Sequence, residues 1–122
     1  MQLTTSHIKL EKLRFHAFHG VMPQETAVGN DYEVCLDVKT DLSQAMTTDK
    51  VEHTVNYATL YEIVDAVMST PSALLENVCY RIADKVFNEF PSVEETTVSV
   101  EKLNPPFGAD CHGAKVEMNF AR

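Results

Sequence analysis

Basic residues are scarce in this chain: ten lysines and arginines stand against eighteen aspartates and glutamates, a formal net charge of -8. That balance removes the positive footprint of nucleic-acid binding and disfavours polyanionic partners. Glycine is sparse too, and none of the four stands in a GxGxxG or GxxxxGK arrangement, so no phosphate cradle is available. A GxSxG elbow is missing. Cys35, Cys79 and Cys111 are odd in number and widely spaced, which gives no disulfide framework and fits a reducing compartment. The five histidines include no HxH or HExxH spacing and there is no CxxC, so no metal site can be assembled. His16 and His19, three apart on a strand, would face opposite sides, and Cys111-His112 lacks a second ligand pair. No run approaches the roughly 20 apolar residues of a membrane span, and the opening residues lack the basic segment and apolar stretch of a signal peptide. These absences point to a soluble cytoplasmic protein with small-molecule or protein partners, no nucleic acid, no membrane, no metal and no cofactor.

What is present suffices for one core. A hydrophobic content of 44% over 122 residues suits a single domain spanning 1–122. From Ile8 to Phe18 apolar residues recur with a period of two that changes phase at Glu11 and Lys12, as a bulged strand would read. Residues 31 to 42 alternate without a slip, Tyr32, Val34, Leu36 and Val38 on one face, and a hairpin through HGVMPQETAVGND would join the two strands. After the polar stretch SQAMTTDKVEH the period becomes helical, with Leu60, Ile63, Val64, Val67 and Met68 on one face and Asn56 as N-cap. Ser72 is the expected cap of a second helix carrying Leu75, Val78, Cys79, Ile82, Val86 and Phe90, stopped by Pro91. Thr96, Val98 and Val100 mark a third strand, and Ala114, Val116, Met118 and Phe120 a fourth.

The order strand, strand, helix, helix, strand, strand predicts an α+β domain, a four-stranded antiparallel sheet with two helices on one face. Glu33, Asp37, Lys39, Ser99, Glu101, Lys115 and Glu117 fall on the other face, which can meet water. Two long edge strands would be left, and edges of that kind are covered, blunted or paired, so a symmetric oligomer is expected.

Four polar residues stand out against this pattern. Lys102 shares the apolar face of its strand with Val98 and Val100 and is followed by Asn-Pro-Pro, which stiffens the chain after it. A strand-end lysine usually snorkels to solvent; one held out of water is instead a proton-transfer group. Glu76 lies in the first turn of the second helix, where the helix dipole alone would favour a carboxylate. Its two oxygens would also match two adjacent N–H donors, as on a guanine or pterin edge. Tyr57 opens the first helix, as a packing aromatic or a proton donor and acceptor. Glu25 sits in the loop after the first strand, where a solvated carboxylate is the ordinary outcome.

Taken together, HAFHGVMPQE (16 to 25), DKVEHTVNYATLYEIV (49 to 64), LLENVCYRIADKVFNEFP (74 to 91) and VSVEKLNPP (98 to 106) resemble the dihydroneopterin aldolases of folate biosynthesis, over nearly the whole chain. The most specific pieces are HGV-x-x-x-E, T-V-N-Y, L-L-E and K-x-N-P-P. The resemblance implies the tunnelling fold, assembled as an oligomeric barrel: rings of four subunits, often stacked as octamers, with active sites between chains. It implies catalytic roles for Lys102, Tyr57 and Glu25. It also implies pterin binding by Glu76 and Leu75, and by Thr54 and Val55 reaching in, with Tyr57, from the adjacent subunit. The reaction implied is retro-aldol cleavage of 7,8-dihydroneopterin, without metal or Schiff base. One departure concerns FGADCHGA after Asn-Pro-Pro, where family members commonly have a second proline and a glycine-histidine.

Three other readings stay open on sequence grounds. An epimerase of dihydroneopterin or its triphosphate would share fold and pocket. A zinc-dependent pterin enzyme of the same fold would need a ligand cluster absent here. A non-catalytic pterin- or protein-binding module would need Glu76 but neither Lys102, Tyr57 nor Glu25.

Overall fold

The computed structural model describes residues 1–122. Four long strands, β1 (His7–Ala17), β2 (Asn30–Thr40), β3 (Val93–Lys102) and β4 (Ala114–Ala121), form one antiparallel sheet in the order β1-β2-β3-β4. β2 alternates as its sequence requires: Tyr32, Val34, Leu36 and Val38 are all essentially without solvent exposure, while the residues between them stay partly exposed.

The phase change in β1 is a bulge. Leu10 pairs with Leu36 but Leu13 with Val34, so three steps on β1 match two on β2. Lys12 takes up the extra residue with φ 54°, a left-handed conformation uncommon outside glycine, and its N–H donates to the Cys35 Sγ at 3.3 Å. The bulge keeps Leu13 and Phe15 packed against the core.

The expected helix pair covers one face. Helix α3 (Tyr57–Met68) begins at Asn56, whose Oδ1 accepts from the Ala58 N–H at 2.9 Å, and buries Leu60, Val64, Val67 and Met68. Helix α4 (Leu75–Glu89) buries Val78, Cys79, Ile82, Ala83 and Val86. α4 packs on β3 and β4, and α3 on β1 and α4.

Three features differ from the sequence expectation. Ser72 does not cap α4: the N-cap is Leu74, without a side-chain bond, because the Ser72 hydroxyl is engaged by Asn77 and Arg81. The β1–β2 connection contains a short helix α1 (Pro23–Val28), and the polar stretch after β2 contains α2 (Ser43–Thr48) and a 3-10 turn (Val51–His53). Ser99, expected on the wet face, is 5% exposed in the interior strand β3, between β2 and β4. Both edges, β1 and β4, are open in the single chain, and no helix is long and apolar enough to cross a membrane.

Candidate active site

The site begins with the sheet register. Lys102 is the last residue of β3, directly opposite Tyr32 of β2, and so lies on the face of Val98 and Val100 rather than that of Glu101. Its side chain is 11% exposed, and it does not snorkel out. The Nζ donates to the Glu25 Oε2 at 2.5 Å and stands 5.9 Å from the centre of the Tyr32 ring. Beyond Lys102, the Leu103 N–H donates to the Asp31 carbonyl at 3.0 Å, and the Asn30 Nδ2 donates to the Asn104 carbonyl at 2.6 Å. The lysine-to-proline segment is thereby fastened to the start of β2.

Glu25 overturns its expectation as a solvated loop residue. It lies on α1 and is 8% exposed. Its Oε1 accepts from the Met22 N–H at 3.2 Å, satisfying a free donor at the helix start. Gly20 makes this burial possible: with φ 152°, a Cβ there would lie 2.5 Å from the Glu25 Cδ. The Lys102 hydrogen bond, chief among several causes, holds the Glu25 carboxyl below the usual carboxylate range. An ammonium and a carboxylate are thus kept in contact and away from bulk water, an arrangement suited to passing a proton.

A second layer supports the pair. The buried Tyr32 hydroxyl donates to the His19 carbonyl at 2.9 Å, and desolvation above all pushes its pKa up to about 12, so it remains a phenol. The His19 Nδ1 accepts from the Ser72 N–H at 2.9 Å. Burial first, then the charges of Arg81 and Lys102, push the His19 pKa down to about 4, which keeps it neutral at pH 7. Arg81 donates to the Val67 and Thr70 carbonyls and the Ser72 Oγ, closing the turn between α3 and α4. His16 is exposed and spans from Asp31 (3.0 Å) to the Val28 carbonyl (3.1 Å); the Asp31 bond above all raises its pKa.

Comparison with known proteins decides the family. The FolB dihydroneopterin aldolase family model matches residues 8–119, and a dihydroneopterin aldolase of Bacillus subtilis strain 168 is 36% identical over 112 residues, 91% of this chain and 93% of that protein. The chain belongs to the dihydroneopterin aldolase family. The structure agrees at the level of fold. E. coli dihydroneopterin aldolase in complex with neopterin superimposes with a TM-score of 0.86 at 20% identity, over 95% of this chain and 99% of that one. A Burkholderia dihydroneopterin aldolase bound to guanine gives 0.78 at 21%, over 97% and 92%.

Of the residues that the family resemblance singles out, the single chain joins only Lys102 and Glu25 by a side-chain hydrogen bond or ion pair. Glu76 is exposed at the second position of α4, and Tyr57 is 65% exposed at the first position of α3, not packed as an ordinary aromatic. Thr54 and Leu75 are half-buried. Val55 is 3% exposed and belongs to the core, so the single chain offers little of it to a neighbour. An open cleft of about 470 Å³ beside Glu25, walled by Gly29, Asn30, Asp31, Asn104 and Pro106, includes neither Glu76 nor Tyr57. Nothing in the sequence singles out His19 or Tyr32 beyond the HGV motif that His19 opens and the apolar face that Tyr32 shares; their roles come from the structure, which buries His19 and sets Tyr32 opposite Lys102.

Proposed function

We propose that this protein cleaves 7,8-dihydroneopterin by a retro-aldol reaction to 6-hydroxymethyl-7,8-dihydropterin and glycolaldehyde, at sites shared between neighbouring subunits of a homo-oligomeric ring, a tetramer or a stacked octamer. The observation that carries this reading is the buried Lys102–Glu25 pair at 2.5 Å.

In the reaction, the side-chain hydroxyl loses its proton as its carbon becomes the aldehyde carbon of glycolaldehyde. The electrons of the broken C–C bond flow into the conjugated imine of the dihydropterin, whose ring nitrogen takes up a proton. The substrate supplies its own electron sink, so what the protein contributes is alignment and proton management. Lys102, steadied by Glu25, delivers the proton at the ring nitrogen. Tyr57 of the adjacent subunit takes the proton of the side-chain hydroxyl and returns it to the carbon of the resulting enol, as the ring nitrogen gives its proton back to Lys102 and the imine re-forms. Glu76 accepts the pterin's amino and ring N–H donors as a parallel pair, with Leu75 beside it contributing backbone contacts and Thr54 and Val55 of the adjacent subunit completing the pocket. Neopterin and guanine, the ligands of the two similar proteins, both carry such an edge. Exposure of Glu76 and Tyr57, together with the open β1 and β4 edges, fits a pocket completed by a second copy.

Single-turnover assays of Lys102→Ala and Tyr57→Phe test these roles. Each is expected to slow cleavage by at least about a hundredfold, the usual size of an acid–base contribution; full rates in either variant remove that residue from the mechanism. Chromatographic separation of the products distinguishes cleavage from inversion of the side-chain carbon.

A further inference from the structure

We propose that His19 is a positioning residue for this reaction, its Nδ1 locking the turn that carries Glu76 to the segment that carries Glu25 and backs Lys102. The inference rests on the functional reading above and concerns how the pterin anchor and the proton-transfer pair are held in one frame.

His19 lies just beyond β1 and has no solvent exposure. Its ring accepts the Ser72 N–H at 2.9 Å, and the Gly20 N–H donates to the Ser72 carbonyl at 2.9 Å, so residues 19 and 20 grip Ser72 through two bonds. Ser72 is four residues ahead of Glu76, and its Oγ also accepts from Arg81 at 2.6 Å. On the other side, the His19 carbonyl accepts the Tyr32 hydroxyl, and the two rings meet edge to face at 5.4 Å. The same Tyr32 ring faces the Lys102 ammonium, and Glu25 lies against Gly20. One imidazole therefore links both chemical halves of the site.

The tautomer follows from the geometry. With Nδ1 accepting, the neutral ring carries its proton on Nε2, and that buried N–H has no acceptor among the protein's atoms. A leucine or phenylalanine could fill the space without an orphaned donor, which costs stability. What the histidine supplies in return is the Nδ1 acceptor. Arg81 from α4 and Lys102 from β3 are the charges that act on the ring, and both oppose its protonation, preserving that acceptor.

Two substitutions separate the nitrogen atoms. The Oδ1 of asparagine falls where Nδ1 stands, whereas glutamine reaches toward Nε2. His19→Gln is expected to weaken neopterin binding roughly five- to tenfold, the worth of about one net hydrogen bond, while single-turnover cleavage at saturating substrate stays within about threefold. His19→Asn is expected to restore most of the affinity. Imidazole 15N shifts of the wild type are expected to report a protonated Nε2 and a bare Nδ1. Unchanged neopterin affinity in His19→Gln, no rescue in a folded His19→Asn, or a protonated Nδ1 overturns the inference; should neither variant fold, the 15N measurement decides. A wild type that neither binds neopterin nor cleaves the substrate instead overturns the functional reading itself, so the two failures are distinguishable.

Discussion

Replacing Lys102 with methionine keeps an unbranched stem but removes the ammonium, leaving the Glu25 carboxylate, 9% exposed, with the Met22 N–H as its remaining side-chain partner at 3.2 Å. Breaking a buried pair by deleting one partner costs about 3–5 kcal/mol, because the surviving charge stays desolvated. The residual exposure of both side chains places this variant near the lower end, about 3 kcal/mol. Adding Glu25→Gln removes the stranded charge yet keeps an acceptor for Met22, so the double variant should lie only about 1 kcal/mol below wild type. The expected coupling is therefore at least about 2 kcal/mol. In the wild type, Lys102 holds the Glu25 carboxyl low, so its contribution is present above the unfolded value, about 4.3, and is lost as pH falls through the depressed folded value. Without Lys102 the carboxyl protonates more readily, so the gap between wild type and Lys102→Met should narrow from pH 7 toward pH 4. Urea unfolding of all four proteins at one protein concentration, since association shifts apparent stability, measures both quantities. Singles that add to within about 0.5 kcal/mol, or a gap indifferent to pH, would refute the reasoning.

Other consequences can be checked separately. His19 has a folded pKa near 4 against an ordinary 6.5, so its contribution is complete above 6.5 and is lost as pH falls toward 4, by roughly 3 kcal/mol when fully titrated; the pH dependence of unfolding in His19→Asn, relative to wild type, should lack that loss. Gly20→Ala would drive a methyl to 2.5 Å from the Glu25 Cδ at φ 152°, and a loss of about 2 kcal/mol or more in thermal unfolding is expected, with slowed cleavage. Glu76→Gln, at an exposed position, should change unfolding free energy by less than about 0.5 kcal/mol while weakening neopterin in calorimetry by tenfold or more, since a charge-assisted pair is lost.

Periodic segments were legible because burial on one face leaves its spacing in the chain. The slip at Glu11 and Lys12 announced the bulge, and Asn56 announced the start of α3. α1 and α2, six residues each, were not legible: neither is long enough to repeat an apolar face, and of their residues only Glu25 is buried. Ser72 has the chemistry of a cap, but Arg81, nine residues away, claims its hydroxyl, and such a contact has no local signature. The inward aim of Lys102 could be read from strand parity. Its meeting with Glu25, 77 positions distant, could not, nor could the burial of His19, which is enclosed by turns rather than by a periodic face.

The pairing of Lys102 with Tyr32 means that the chemistry of this chain is addressed by an odd or even count. Adding one residue to β3 ahead of Lys102 would hand the interior berth to Glu101 and turn the ammonium toward the opposite side of the sheet. Length, more than composition, is thus the guarded property of that strand: it can exchange valines for isoleucines, but it cannot lose or gain a single link.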